Sequence, residues 1–448
     1  SIAGIIGTTT GGVTKNGAGT WILSGANTYT GTTSIAVGAL RATHNSALGA
    51  TSGAVTVTSG AALELSGGIA IGAKSLTING GGISNAGDLR NVSGDNVYQG
   101  ALTLGSSASV GGDAGSLTIS GVVTSTSVRG LAIVGSANYN LPNSGNQIAG
   151  NFASSTTGTA TISISGAGLK VGSVTPLSTT YNGINAASNV TLNITGALTI
   201  SSPITMTAGD LSATATTGIT SNSGVAILVA GNITLSSDTG SQLAGSFTGI
   251  QTQGSISTTS VSNGNITITG RAGSTGTNGV SLLGSVTAGG SGAVTITGIA
   301  GNATTSNNYG VIVSGTGIAV SAGSGNITIN GTGGGSGVSS ATNIGIVFSG
   351  GATVTTTGGD VQLTGATGVG SSAFCISIGG SSPMSTAGNL SMTSTTGGLS
   401  ISSNISMTGS VKALTLTADS LSFSSTSVTS SGPVTIQPYG NSFSSDIT

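Results

Sequence analysis

A short phrase recurs through the second half of the chain: a glycine, usually an asparagine, then an aliphatic, a hydroxyl-bearing and a second aliphatic residue. It reads Gly231-Asn232-Ile233-Thr234-Leu235, Gly264-Asn265-Ile266-Thr267-Ile268, Gly292-Ala293-Val294-Thr295-Ile296, Gly325-Asn326-Ile327-Thr328-Ile329, Gly359-Asp360-Val361-Gln362-Leu363 and Gly388-Asn389-Leu390-Ser391-Met392. The leading glycines lie 33, 28, 33, 34 and 29 residues apart. A second marker keeps step with the first: Gly249-Ile250, Gly279-Val280-Ser281-Leu282, Gly310-Val311-Ile312-Val313 and Gly345-Ile346-Val347-Phe348. A weaker third segment follows, as in Gly317-Ile318-Ala319-Val320 and Ala352-Thr353-Val354-Thr355. A repeat of this length cannot bury its own apolar face, so it must stack on its neighbours.

Within Asn265-Ile266-Thr267-Ile268-Thr269 the isoleucines fall on one side of an extended strand and the threonines on the other, as a two-residue period requires. Stacked coils then line up aliphatic side chains inside and hydroxyls outside. The expected fold is therefore all-β: a parallel β-solenoid, or β-helix, with three short strands per coil and about 30 residues per coil. Turns such as residues 331–340 absorb differences in repeat length. Upstream of residue 180 the strands continue, at Val55-Thr56-Val57, Leu76-Thr77-Ile78, Leu102-Thr103-Leu104 and Leu117-Thr118-Ile119, but without a fixed period. Longer excursions are expected there, particularly over Asn138 to Asn151. The chain thus divides into first coils at 1–50, an irregular solenoid at 51–180, regular repeats at 181–408 and final coils at 409–448.

Composition narrows the possibilities further. Charged residues make up 4% of the chain, against roughly 25% in an ordinary globular protein. Aromatic residues make up 3%, so the core must be narrow and filled by small aliphatic side chains. Net charge is −1 with no basic cluster, which argues against a nucleic-acid partner. The longest purely apolar run, Val225 to Ala230, falls far short of the ~20 residues of a membrane-spanning helix. Cys375, alone of its kind, sits in an apolar run and reads as a small buried hydrophobe.

The segment Gly17-Ala18-Gly19-Thr20-Trp21-Ile22-Leu23-Ser24-Gly25-Ala26-Asn27-Thr28-Tyr29-Thr30-Gly31, continuing through Val37-Gly38-Ala39-Leu40 to Ser46-Ala47-Leu48-Gly49, resembles the autotransporter-associated β-strand repeat of bacterial passenger domains. The later Gly-Asn-Ile-Thr-Ile coils are similar to those of filamentous-haemagglutinin-like surface proteins. The resemblance implies a right-handed solenoid on a secreted or cell-surface bacterial protein. It carries no active-site positions.

A parallel β-helix can also be a polysaccharide-degrading enzyme, and that reading turns on residues, not fold. Such chemistry needs converging carboxylates or a base with cationic helpers. The acids here are Glu64, Asp88, Asp95, Asp113, Asp210, Asp238, Asp360, Asp419 and Asp446, scattered singly. Asp360 takes the repeat position of Asn232, Asn265, Asn326 and Asn389, where a side chain that closes a turn is expected. Asp88-Leu89-Arg90 with Asp95 is the densest charged neighbourhood and is expected to be a solvated loop with a local ion pair. His44 has no ligand cluster near it, and Gly111-Gly112-Asp113 is a single fragment of a calcium-binding repeat. Trp21 and Tyr29 are expected to fill the first coil or cover its end rather than stack on glycans. No catalytic, cofactor or metal site is expected.

The leading expectation is an extracellular structural protein that builds a fibre, sheath or coat by head-to-tail association with itself, since neither end carries an obvious cap. The alternative is an adhesin or passenger stalk that binds cell-surface glycans through loops such as Asn138 to Asn151.

Overall fold

The computed structural model describes every residue except 8, 126, 167, 238–239, 305–306, 336–341, 369–373, 425–426 and 444–448. Asp238, Asp446 and part of the 331–340 turn lie outside the described residues. The chain forms two compact units, Ser1–Gly209 and Asp210–Thr448. Both are built from short parallel strands, and the one described helical element is a 3-10 turn at Ile83–Asn85. No described helix is long and apolar enough to cross a membrane.

In the second unit the strands form three columns, one strand per coil in each. The first column runs from Ile233–Ser237 through Ile266–Arg271, Val294–Ile299, Ile327–Thr332, Val361–Ala366, Leu390–Ser394 and Leu414–Thr417 to Val434–Gln437. The second passes through Ile250–Thr252, Val280–Leu282, Val311–Ser314 and Ile346–Ser349. The third passes through Ile256–Thr258, Val286–Ala288, Ala319–Ala322 and Thr353–Thr356. Register is kept from coil to coil, so Ile268, Ile296, Ile329 and Leu363 stack in one line. All four are fully buried, and each such burial contributes about 1.5–3 kcal/mol. Between them Thr267, Thr295 and Thr328 face outward, half exposed.

Paired residues in this unit are not equally spaced along the chain. Val311 pairs with Ile346 and Ile327 with Val361, but Ile376 pairs with Leu399 and Leu414 with Val434. The step thus falls from 35 and 34 residues to 23 and 20. The extra residues of the longer coils lie in the turns between strands, where length changes leave the ladder intact.

The first unit also has three columns. One begins Val13–Lys15, Thr33–Ile35, Val55–Val57. The next begins Thr20–Leu23, Ala39–Ala42, Ala62–Ser66, Leu89–Ser93. The last includes Asp95–Tyr98, Ser116–Ile119, Asn138–Leu141 and Ala160–Ile164. Here the step is shorter throughout the early coils: Val13 pairs with Thr33, Leu131 with Phe152 and Ser116 with Asn138. Stretches that read as irregular are therefore tighter coils, not looser ones.

The stretch Asn138 to Asn151 is not the expected excursion. Asn138–Leu141 is a strand in register with its neighbours, with Tyr139 and Leu141 buried. Its alternation of Asn with Tyr and Leu is the ordinary strand pattern, masked in the sequence by asparagines and Pro142. The segment that leaves the coil is an antiparallel hairpin, Ser173–Val174 against Tyr181–Asn182.

Glycine fixes one corner of the second unit. A Cβ on Gly298 would sit 2.0 Å from the carbonyl oxygen of Gly310, and one on Gly331 would sit 2.0 Å from that of Gly345. From the other side, a Cβ on Gly310 would meet the backbone nitrogen of Thr332 at 2.3 Å. The glycine that opens the second sequence marker is thus required because two backbones meet there.

Candidate functional site

The most developed side-chain arrangement is a ladder of charges on the first unit. Arg41, Glu64 and Arg90 occupy matching positions on successive strands. Glu64 is almost fully buried, with a side chain 4% exposed. Its Oε2 accepts from Arg41 Nη2 at 2.7 Å and Nε at 2.8 Å, while Oε1 lies 3.5 Å from Arg90 Nη1. Arg90 then donates through Nη2 to Asp113 Oδ2 at 2.8 Å and Oδ1 at 2.9 Å. Alternating signs at the spacing of neighbouring strands let each charge neutralise the next. Such a chain of satisfied pairs holds coils in register and leaves no group free to act on a substrate. Reading the sequence missed Glu64 as its centre; the available signal was one acid within the apolar run Ala61-Ala62-Leu63-Glu64-Leu65.

The three residues grouped in sequence as Asp88, Arg90 and Asp95 go to separate places. Arg90 belongs to the ladder. Asp95 accepts a hydrogen bond from Ser116 Oγ at 2.9 Å. Asp88, expected in a solvated loop, is fully buried. It accepts from the backbone nitrogens of Gly82 at 3.1 Å and Ser109 at 3.4 Å. Burial without a cationic partner pushes its carboxyl up to about 7.

Asp360 does not close its own turn. Its Oδ1 accepts the backbone N–H of Asn389 in the following coil at 2.7 Å. The other members of the column do the same: Asn232 accepts from Asn265, Asn265 from Ala293, Asn326 from Asp360 and Asn389 from Ala413, at 2.8 to 3.0 Å. The repeat position is a bracket between coils.

Trp21 and Tyr29 separate in the same manner. Tyr29 is fully buried, with its hydroxyl 2.8 Å from Thr33 Oγ1. Trp21 lies in register with Leu40 and Leu63, an interior line, yet remains 39% exposed. The ammonium of Lys15, itself buried, lies 5.4 Å from the Trp21 ring centre and donates to the carbonyls of Gly17 and Val37 at 2.6 and 2.8 Å. A second buried lysine, Lys74, lies 5.7 Å from the Tyr29 ring and donates to Ala50 O at 2.5 Å. Cation–π contact and carbonyl donation together satisfy these charges in the interior. Desolvation lowers the Lys74 ammonium from its ordinary value.

His44 is half-buried, and its Nδ1 accepts the backbone N–H of Ser46 at 3.1 Å. Cys375 is a buried free thiol. Among the described residues no three His, Cys, Asp or Glu side chains group in a way that could hold a metal ion. The surface depressions are shallow corner grooves; one of about 460 Å³ is lined mainly by Asn27, Asn45, Ser46, Gly49, Ala50 and Thr51.

Comparison with known proteins places a model of the passenger-associated-transport-repeat over residues 13–42. Those residues include Lys15, Trp21 and Arg41, the start of the charge ladder. No curated protein and no solved structure matches the chain.

Proposed function

We propose that this chain is the solenoid of a passenger-type bacterial surface protein, and that it serves as a mechanical element of an extracellular fibre, sheath or coat. The observation that carries this reading is the transport repeat at residues 13–42 on a stack whose strongest polar contacts join one coil to the next. We take the coils to be right-handed, as parallel crossovers are with few exceptions, and the protein to be secreted, as the repeat implies.

Catalysis is no part of the proposal. Glu64 and Asp113 are engaged by arginines, Asp95 by a serine and Asp360 by a backbone N–H. A general acid–base pair needs such groups turned together toward one substrate.

Self-association is the proposed mode of assembly. Val434 and Ile436 continue interior lines whose earlier members, Leu414 and Leu416, are covered, yet they are 50% and 40% exposed. An open coil takes another coil by the same hydrogen bonding, whether from the same polypeptide or from a second copy.

The test is negative-stain electron microscopy of the purified chain together with imaging of the native material. End-to-end rods and a coat or fibre lost on gene deletion are expected. Monodisperse single rods at all concentrations, with surface material unchanged by the deletion, would overturn the structural reading. A second reading, an adhesin stalk for cell-surface glycans, is favoured by one feature: the hairpin at Ser173–Asn182 leaves the coil and carries half-exposed Leu177. Loss of attachment with intact surface material after deletion of residues 175–180 would select it.

A further inference from the structure

We infer that the turn at Ile83–Asn85 and the hairpin of Ser173–Val174 with Tyr181–Asn182 form a clasp on the outside of the first unit, closed while Asp88 is neutral and loosened when it ionises.

The clasp covers one line of side chains. Ser109, Ala132 and Ala153 stand in register on successive strands, and Asp88 joins the same line through its backbone N–H to Ser109 O at 2.9 Å. These positions alternate with Val110, Leu131 and Ile133, which fill the interior, so the line faces outward. It is buried all the same, because two excursions lie over it. The turn covers its Asp88 end, where Asp88 accepts from Gly82 and Ser109 Oγ donates to Gly81 O at 3.2 Å. The hairpin covers the other end, with Val174 and Tyr181 packed on Ala132, Val134 and Ala153.

The excursions are joined to each other. Tyr181 donates its hydroxyl to the carbonyl of Asn85 at 3.1 Å, across 96 residues of chain. The turn is held by contacts of this kind and not by its own conformational preference: Ser84 and Asn85 have φ of 54° and 60°, the left-handed region that non-glycine residues rarely adopt. Whatever loosens the anchor at Asp88 therefore reaches the hairpin through Asn85 and Tyr181.

Asp88 is a titrating anchor because its carboxyl is buried among backbone groups with no cation assigned to it. The charged groups on the strands beside it are Glu64, Arg90 and Asp113, which neutralise one another and Arg41. The titratable group of the hairpin is Tyr181, whose hydroxyl burial pushes up from its ordinary value. The Asp88 carboxyl, raised to about 7, is the group that changes charge near neutrality. A raised acid favours the closed form below its folded value, and that preference fades as pH climbs through about 7.

Hydrogen–deuterium exchange of the full chain, read by mass spectrometry between pH 5.5 and 8.5 and corrected for intrinsic rates, tests the clasp. Peptides covering 81–88 and 173–182 are expected to open about tenfold more readily for each pH unit above 7, while the strand Leu131–Gly135 holds steady. In Asp88→Asn both segments should stay protected at pH 8.5. In Tyr181→Phe the turn should keep its pH response and the hairpin lose it. A pH-independent hairpin in the wild-type chain would overturn the inference without any variant, and so would an Asp88→Asn chain that keeps the response.

Discussion

Asp360 Oδ1 receives the backbone N–H of Asn389, one coil further on, at 2.7 Å. The same bracket is made by an asparagine in the coils around it, so this position supplies an acceptor and has little use for a charge. Both residues are solvent-exposed, so the bond is worth about 1 kcal/mol. Asp360→Ala is expected to lower unfolding stability by that amount and to speed exchange at the Asn389 amide. Asp360→Asn should stay within a few tenths of wild type. Equal destabilisation by both substitutions in urea titrations would show that charge, not the bracket, matters.

How much of this could be read from the chain depends on what repeats. Alternation in Ile266-Thr267-Ile268 exposes the strand and its inward side at once, because a two-residue period leaves one reading. The column of Asn232, Asn265, Asn326, Asp360 and Asn389 was visible as a position, but its role was not, since a turn closure and a bracket to the next coil require the same side chain. The paired strands Val55–Val57 and Leu76–Gly80 were visible as strands without a visible period, because the tighter coils of the first unit carry no shared marker. Burial of Lys15, Lys74 and Asp88 was hidden for another reason. It depends on which carbonyls, rings and N–H groups converge from other coils, and a local window holds none of them.

Glu64 sits between two arginines, and the three differ in exposure: its side chain is 4% exposed, those of Arg41 and Arg90 31% and 26%. Removing its charge leaves both guanidiniums facing an unhelpful neighbour in a partly desolvated place. Glu64→Gln is expected to cost about 1–2 kcal/mol. Asp113→Asn, at a carboxylate 43% exposed, should cost less than half of that and depend more on salt. Thermal unfolding of both variants at low and high ionic strength separates the two; a larger loss at Asp113 would contradict the ladder's order.

Ile296 and Thr297 are chain neighbours on opposite sides of one strand. Ile296 is stacked between Ile268 and Ile329 and fully buried, whereas Thr297 is half exposed. Ile296→Ala should cost about 2–5 kcal/mol, from lost burial and a cavity that the neighbouring coils cannot close. Thr297→Ala should change stability by no more than about 0.5 kcal/mol. Matching losses in chemical denaturation would mean that the strand's inward side has been misassigned.

Gly310 and Gly380 separate contact from conformation. Neither has the positive φ that penalises other residues. A Cβ on Gly380 meets nothing within 4 Å, but one on Gly310 strikes the Thr332 backbone nitrogen at 2.3 Å and the Gly345 carbonyl oxygen at 2.6 Å. Neither obstacle is a side chain that can rotate away, so the second and first columns must part locally to admit a methyl group. Gly310→Ala is expected to cost about 2–3 kcal/mol, and Gly380→Ala close to nothing. Because the strain sits between columns, exchange in Gly310→Ala should rise in the flanking strands Val311–Ser314 and Ile327–Thr332 before it rises in Ala319–Ala322. Uniform loosening of all three strands would indicate that the glycine corner does not join the two columns in the way its close contacts require.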